Sequence, residues 1–375
     1  MTTQLIEIPF SVPSYTDGAR EAALRVLDSG WTTTGPECVA FEAELAAFLN
    51  VNEVVTVASC TQAIELALRA LHLRSGANVL TPSLTFSGAV GAIRHAGYRP
   101  VLVDIDATTL TPSEGTVAAA ARRCGGADAM VACHLGGYPV DVASLAEAAG
   151  LPGNRIVEDA AHGPGGAVNG RAAQAACFSF YATKNLPIGE GGAVATADPE
   201  LAGWLRSARL HGMSRDAWRR YLPGGSWRYD VAEIGVKANL TDLQAAIGRA
   251  QLPALPGWQR RRRELASEYD RRLAHYVELP ARHPGHAWHL YQLRTTRRDE
   301  LAARLSELGV GVSVHFIPVH RLSGYARVLG PDECRSCPVT DQVADELLSL
   351  PLYPALAHEQ QAVVIEAVTS FLGEI

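Results

Sequence analysis

Short apolar segments alternate with helix-forming segments from about residue 54 to residue 157. Their length and composition predict buried strands at residues 54–57, 78–81, 100–104, 129–133 and 155–157. Apolar residues recur at helical spacing between them, which predicts helices at residues 87–95, 114–122 and 142–149. This alternation indicates an α/β fold with a mainly parallel sheet between two layers of helices. Because ligands of such sheets bind beyond the carboxyl ends of the strands, residues that follow a strand are the first candidates for a site.

The second half of the chain indicates a smaller unit. Pro253 and Pro256 interrupt a helical pattern, which places a predicted domain boundary there. Residues 1–252 would then form an N-terminal arm and a large domain, and residues 253–375 a small α/β domain. For the small domain the sequence predicts a long helix from about 258 to 275, strands at 289–294 and 310–316, and a closing helix at 358–372.

Composition is that of a soluble globular enzyme, with 47% hydrophobic and 19% charged residues. A net charge of -6 argues against a nucleic-acid-binding protein, which usually carries a basic excess. The basic run 260–263 precedes Glu264 and Glu268, so it is interpreted as a solvated helix face. The first residues lack the basic start and apolar core of a secretory signal peptide, and no eighteen apolar residues follow one another. This predicts a cytoplasmic protein without membrane segments.

Seven cysteines are scattered over the chain, an odd number that fits reduced thiols better than a disulfide framework. Only Cys334 and Cys337 have the spacing of a metal or redox pair. With no second pair and no nearby histidine, this spacing does not predict a metal site.

Lys184 is the first candidate for covalent chemistry. It lies between the apolar segment 175–180 and the glycine-rich segment 189–192, on a predicted loop at a strand end. A lysine in such a place is commonly a solvated cation. However, Asp159 ends another apolar strand, so the two strand ends could present an amine and a carboxylate to one cleft. Pyridoxal 5′-phosphate (PLP) requires this pair, an amine for a Schiff base with its aldehyde and an acid beside its pyridine nitrogen.

A candidate anion site follows the strand at 54–57. Ser59 and Thr61 precede a run of apolar residues at helical spacing, so one of them would cap the N-terminus of a helix. The free amides at such an end bind phosphate groups well.

Further segments complete a family pattern over nearly the whole chain. They are Asp159–His162, Ser179, Lys184, 189–192, 30–36, 60–63, Thr85, Phe86, 211–213, 239–246, 288–291, 315–320 and 348–353. In number and order they resemble the StrS/DegT family of PLP-dependent nucleotide-sugar aminotransferases. This resemblance implies the PLP-dependent transferase fold type I, with a large PLP-binding domain and a smaller C-terminal domain.

The resemblance also implies roles for residues around the PLP ring. Lys184 would hold the cofactor and then move a proton during the reaction, for which its pKa would have to fall. Asp159 would pair with the pyridine nitrogen, although a helix cap is its ordinary interpretation. Phe86 would stack on the ring, although such a phenylalanine is otherwise most often core. His162 stands where many relatives have glutamine, and its charge would vary with pH.

The phosphate of PLP is assigned by resemblance to Thr61, the backbone at Gln62, Ser179 and Asn239. Asn239 would reach across from a second subunit, which implies a homodimer. Cys60 stands where many relatives have glycine and weakens this part of the match. For the substrate, Thr33 and His315 are candidates, and each could equally be structural.

The implied reaction moves an amino group from L-glutamate to a nucleotide-linked 4-keto-6-deoxy sugar, because 211–213 and 239–242 look most like family members that act at C4. Amination at C3, amination of a keto-cyclitol, or a non-catalytic PLP-binding sensor are the alternatives. Related dehydratases replace the lysine with histidine, so Lys184 argues against them. The glycines at 163–170 lack dinucleotide-binding spacing. The nucleotide, the sugar configuration and the pathway are not readable from the sequence.

Overall fold

The structure, a computed structural model, describes residues 7–213 and 228–373, and residues 1–6 of the predicted arm lie outside this range. Helices of the first part of the chain are α1 (Asp17–Asp28), α2 (Pro36–Leu49), α3 (Cys60–Arg69), α4 (Ser87–His95), α5 (Glu114–Arg123), α6 (Val142–Ala149), α7 (Pro199–Ala208) and α8 (Asp242–Gln251). Those of the second part are α9 (Leu255–Leu273), α10 (Arg298–Glu307), α11 (Ser323–Leu329), α12 (Pro331–Cys334), α13 (Pro338–Glu346) and α14 (His358–Gly373). The predicted helices at 87–95, 114–122, 142–149 and 358–372 are therefore confirmed within a residue.

A seven-stranded sheet forms the centre of the described chain. Its strands are β1 (Glu53–Val57), β2 (Asn78–Pro82), β3 (Arg99–Val103), β4 (Ala129–Cys133), β5 (Ile156–Asp159), β6 (Ala175–Ser179) and β7 (Gly192–Thr196). Their spatial order is β1-β7-β6-β5-β4-β2-β3. β7 runs antiparallel to both β1 and β6, and the other neighbouring pairs are parallel. The carboxyl ends of β1, β2, β4, β5 and β6 therefore meet at one edge, as the α/β prediction requires.

Helices cover both faces of this sheet because alternate strand residues point in opposite directions. Val79 and Val131 pack in a cluster with residues of α3, α4 and α7. Leu80 and Met130, their neighbours in sequence, pack in another cluster with α5 and α6. Because the strands are buried on both faces, their sequences are apolar at nearly every position.

The second sheet pairs β8 (Tyr291–Arg294) with β9 (Leu347–Leu350) in antiparallel register. The predicted strand at 310–316 is wrong. Only Val310 and Ser313 in that segment form single bridges, with Ile8 and Ser349 respectively. Positive φ at Gly309 fits a bend rather than a continuous ladder, and a Cβ atom on Gly311 would lie only 2.6 Å from the Phe10 backbone nitrogen.

Helix α9 connects the two sheets. Leu255 at its start packs with the large-sheet core, whereas Leu265, Tyr269 and Leu273 pack in the core of the smaller sheet. Ile8 from the N-terminal segment is buried in that second core as well. The division of the chain at residues 252 and 253 stays a prediction.

The basic run at the centre of α9 is not wholly a solvated face, which corrects the sequence interpretation. Arg260 and Arg263 are exposed, but Arg262 is buried. Its Nη1 donates to the backbone oxygens of Trp288, His289 and Leu352, at 3.2, 3.3 and 2.7 Å. A side chain of this run therefore anchors the segment that carries His289.

Across residues 7–213 and 228–373, no helix is both long enough and apolar enough to cross a membrane. In the same ranges, no group of three or more His, Cys, Asp or Glu side chains is placed to hold a metal ion.

Candidate active site

A cavity of about 410 Å³ opens at the edge where the carboxyl ends of the strands meet. Most of the residues predicted for the site line it, namely Thr61, Phe86, Asp159, His162, Ser179, Lys184 and His315. The smaller sheet and its connections contribute His289, Phe316 and Leu350 to the opposite wall. The volume is within the usual range for a site that binds a small molecule.

Three predicted residues do not line this cavity within one chain. The Gln62 amide donates to the helix-capping Ser59 Oγ at 3.3 Å. Asn239 Nδ2 donates to Thr34 Oγ1 at 2.6 Å. The neighbouring Thr33 is exposed, and its carbonyl accepts from the Asp242 amide at 3.2 Å. Thr33 and Asn239 therefore belong to a second group of residues, where the 30–36 loop meets the start of α8.

Lys184 lies in the wall of the cavity rather than in bulk solvent. Its amide donates to the Tyr181 carbonyl at 2.9 Å in a turn after β6, and its Nζ lies 3.4 Å from His289 Nε2. Burial lowers the pKa of Lys184 from 10.5 to about 8, against the opposing pull of the Asp159 carboxylate. About one tenth of the amine is therefore neutral at pH 7, against a far smaller fraction for a lysine with an ordinary pKa.

Asp159 is buried at the end of β5. The Ala161 amide donates to its Oδ1 at 3.1 Å, and Cys60 Sγ lies 3.8 Å from the same oxygen. Burial raises the pKa of Asp159, while the Ala161 amide and Lys184 act in the opposite direction. A positive group placed beside this carboxylate would relieve the cost of its burial.

His162 is fixed by a backbone contact. The Gly136 amide donates to its Nδ1 at 3.1 Å, so the ring proton resides on Nε2. Burial, reinforced by Lys184, holds the pKa of His162 well below its ordinary value. The expectation that its charge would vary with pH is therefore wrong near neutrality, because a second cation beside Lys184 is unfavourable.

Phe86 projects into the cavity and is 60% exposed, although a phenylalanine after a strand is usually core. Its ring centroid lies 5.8 Å from that of Phe316, which stacks on His162 at 6.0 Å. A Cβ atom on Gly88 would lie 2.6 Å from Thr61 Oγ1 and about 3.1 Å from the Phe86 ring. Glycine at position 88 thus permits the approach of Thr61 to Phe86, a requirement that the sequence reading missed.

The sequence reading also missed His289 and Phe316. His289 was part of the family-like segment Trp288–Tyr291, which was the only signal, and nothing local linked it to Lys184. Lys184 and His289 are 105 positions apart in the sequence and meet only because the smaller sheet packs over the strand ends.

The residues in the cavity fit PLP. A lysine with a lowered pKa and a buried carboxylate line it together, and Phe86 offers an exposed ring face. The N-terminus of α3, with the Thr61 hydroxyl, and the hydroxyl of Ser179 offer donors of the kind that bind phosphate.

Replacing Lys184 by methionine is expected to stabilise the cofactor-free chain at pH 7. The folded-state pKa of Lys184 is below its unfolded value, so its charge destabilises the fold below about pH 8, and this penalty fades between pH 8 and 10.5. Because Lys184 keeps partial solvent exposure at the cavity wall, we expect less than the full pKa shift implies, a gain of about 1–2 kcal/mol in unfolding free energy. Urea unfolding at pH 7 and pH 10.5 measures it, and an equal gain at both values would contradict the electrostatic cause.

Comparisons with known proteins agree with this site. Residues 14–369 match the model of the DegT/DnrJ/EryC1/StrS aminotransferase family. The chain is 40% identical to the spore coat polysaccharide biosynthesis protein SpsC of Bacillus subtilis (strain 168), over 96% of both chains. The structure is similar to the putative sugar aminotransferase Spr1654 from Streptococcus pneumoniae in its PMP form (TM-score 0.89, 28% identity, 98% and 100% of the two chains). It is also similar to DesV of S. venezuelae (TM-score 0.85, 36% identity, 95% of each chain).

Proposed function

The chain belongs to the DegT/DnrJ/EryC1/StrS aminotransferase family, and we propose that it transfers the amino group of L-glutamate to a nucleotide-linked 4-keto-6-deoxy sugar. It is a PLP-dependent sugar aminotransferase with a fold of type I. The product would be a 4-amino sugar nucleotide. The observation that carries the chemistry is the shared cavity of Lys184 and Asp159, with the pKa of the amine lowered to about 8.

The substrate position rests on 211–213 and 239–242, which resemble the segments of family members that act at C4. The name of SpsC connects that relative to polysaccharide biosynthesis. We extend this to the present chain and propose that its amino sugar is also used in polysaccharide biosynthesis. We place both reactants in the cytoplasm.

When bound, PLP supplies an aldehyde that condenses with amines and a ring that accepts electrons from the adjacent carbon. Asp159 would hold a proton on the ring nitrogen, because its buried carboxylate favours a neighbouring positive charge. Lys184 would anchor the cofactor and, once released, carry a proton between two carbon atoms. His162 would donate its Nε2 proton to the ring oxygen while staying neutral.

The remaining contacts position the cofactor. Phe86 would stack on the ring, and Thr61, the Gln62 backbone and Ser179 would bind the phosphate. Asn239 would complete that phosphate site from the second subunit of a homodimer, which is supported by its place away from the cavity of its own chain. Thr33 and His315 would contact the sugar.

Product analysis tests the proposed reaction. The PLP-loaded enzyme is incubated with L-glutamate and, in separate reactions, with dTDP-, UDP- and GDP-linked 4-keto-6-deoxy sugars. Formation of 2-oxoglutarate with an equal amount of sugar aminated at C4, located by NMR, supports the proposal. If only 3-keto sugars or keto-cyclitols are aminated, the proposed 4-keto substrate is wrong and one of these alternatives takes its place. Loss of the yellow cofactor band with L-glutamate shows the first half of the reaction separately, and its absence with every amino donor would favour the sensor.

A mixed dimer tests the contribution of Asn239. Lys184→Ala and Asn239→Asp are each expected to be inactive as a pure dimer, which is measured first. The two chains are then co-expressed with different tags, and the mixed dimer is isolated. If Asn239 serves the site of its partner, one site carries both substitutions and the other neither, so about half of the wild-type activity returns. If Asn239 serves the site of its own chain, each site carries one substitution and the mixed dimer is inactive. Turnover per mixed dimer therefore decides between the two arrangements.

A further inference from the structure

His289 faces Lys184 across the cavity, and the contacts of its ring define which nitrogen carries the proton. Asn185 Nδ2 donates to the carbonyl oxygens of Pro164 and Ala287, at 3.1 and 2.9 Å. This orients Asn185 Oδ1 toward His289 Nδ1, 3.1 Å away. Since a carboxamide oxygen can only accept, His289 Nδ1 must be the protonated nitrogen. Nε2 then has a free lone pair, 3.4 Å from Lys184 Nζ.

We propose that His289 is a positioning residue for Lys184, with Asn185 fixing the imidazole tautomer so that Nε2 accepts a hydrogen bond from the lysine amine. The inference concerns a residue without an assigned role, and it rests on the proposed function of Lys184. His289 would hold the released amine beside the reacting atoms between its two tasks, anchoring the cofactor and carrying a proton.

The backbone around His289 makes this ring a fixed support. Its amide donates to the Gly136 carbonyl at 2.9 Å, and its carbonyl accepts from the buried Arg262 at 3.3 Å. Its ring also lies against that of His162, with 4.4 Å between centroids. A ring that is held by Asn185 and His162 on an anchored backbone can orient a flexible lysine side chain at small entropic cost.

The charges around this pair favour a neutral imidazole. His289 faces the cations Lys184 and Arg262 and the neutral rings of His162 and His315. Burial and these neighbours hold the pKa of His289 well below its ordinary value. It therefore accepts from Lys184 over the whole neutral range and does not compete for its proton.

Lys184 itself faces further groups, which the test must hold constant. These are the Asp159 carboxylate on β5, the thiol of Cys60 on α3 and the thiol of Cys133 on β4. Burial raises the pKa of both thiols, so they stay protonated near neutrality and do not titrate with the amine. Asp159 is left intact in every variant below.

Competitive labelling reads the amine directly, without cofactor or turnover. Lys184 and Lys237 are the two lysines of the chain, and the side chain of Lys237 is exposed. Trace acetic anhydride is added to the cofactor-free, full-length chain at pH 6 to 11, and mass spectrometry gives the acetylation of each lysine. Lys184 in the wild type is expected to show half-maximal reactivity near pH 8, with Lys237 as the internal reference.

Two substitutions of His289 by amide residues distinguish the contributions of its two ring nitrogens. His289→Gln places a carboxamide oxygen near the position of Nε2, whereas His289→Asn reaches only the position of Nδ1. Because a hydrogen bond to an ammonium group favours its charged form, His289→Asn should lower the labelling midpoint of Lys184 by about one pH unit. His289→Gln should restore the wild-type midpoint. A midpoint that is unchanged or raised in His289→Asn would overturn the proposal.

The tautomer provides a second measurement that needs no variant of His289. In cofactor-free protein with 15N-labelled histidine, the proposal requires protonated Nδ1 and unprotonated Nε2 at residue 289. Lys184→Met should shift the Nε2 resonance while leaving the tautomer unchanged. A proton on Nε2 in the wild type would refute the arrangement, even if sugar amination were fully established.

Turnover adds the functional consequence. His289→Asn should slow the half-reaction with L-glutamate about tenfold while cofactor affinity changes less than about threefold, since only the placement of the amine is lost. Failure of the proposed function would appear as absent turnover in the wild type with the labelling and tautomer results unchanged. Failure of the present inference would appear as wild-type turnover in His289→Asn.

Discussion

Lys184→Ala should lower the rate of amino transfer from L-glutamate by at least ~10³-fold. Positioned proton transfer alone contributes about 10²–10⁴-fold, and this residue would also anchor the cofactor. The structure supports a loss of this size because Lys184 is the lysine that lines the cavity and its pKa is lowered to about 8. Stopped-flow absorption of the PLP-loaded variant and wild type, mixed with L-glutamate, measures the rate.

The chain offers an internal control for this prediction, since Lys237 is its second lysine. Borohydride reduction of the PLP-loaded wild type should attach the cofactor permanently to the peptide with Lys184 and leave the peptide with Lys237 unlabelled. In Lys184→Ala neither peptide should carry the cofactor, while the far-UV spectrum shows an intact fold. Label on Lys237 in the wild type, or a loss below tenfold in the variant, would contradict the assignment.

The large sheet could be predicted because its strands are short apolar runs, and β1 to β4 each lie between two helices. β4 was predicted to the residue, and β1, β2 and β3 within one residue at each end. Burial on both faces makes the pattern of such strands independent of distant parts of the chain. The placement of Asp159 and Lys184 followed from the same information, because parallel strands bring their carboxyl ends together.

The smaller unit was less readable because its contacts depend on tertiary packing. Residues 310–316 are apolar enough for a strand, yet their neighbours pair with them only at single residues. β9 forms the partner of β8 instead. Arg262 shows the same limit, since a charged residue in a basic run is buried when three backbone oxygens receive its donors.

Asn239 does not line the cavity of its own chain, and only the family resemblance bears on why. If Asn239 serves the phosphate site of a second subunit, as proposed, the two parts of that site lie apart within one chain. Asn239 and Thr33 lie together where the 30–36 loop meets α8. Only the family resemblance assigns Asn239 to the phosphate and Thr33 to the substrate. Their roles stay predictions until the mixed dimer is measured.

Asp159→Asn is expected to lower turnover by about 10²–10³-fold while PLP still binds. Removing one partner of a buried charge pair costs about 3–5 kcal/mol, and here the pair would form between the carboxylate and the protonated ring nitrogen. Asparagine fills the same space and can keep the contact of its oxygen with the Ala161 amide, 3.1 Å from Oδ1 in the wild type. The change is therefore mainly one of charge. Steady-state kinetics and a PLP titration measure the two quantities separately.

Stability distinguishes this loss from unfolding. Burial raises the pKa of Asp159 in the cofactor-free chain, so its negative charge costs folding energy at pH above that pKa. Asp159→Asn should consequently leave the cofactor-free chain at pH 7 at least as stable as the wild type while activity collapses, which is the trade-off expected of a residue kept for function. Asp332→Asn, the same change at a fully exposed side chain, should alter neither quantity. Turnover within threefold of the wild type in Asp159→Asn would remove Asp159 from the mechanism.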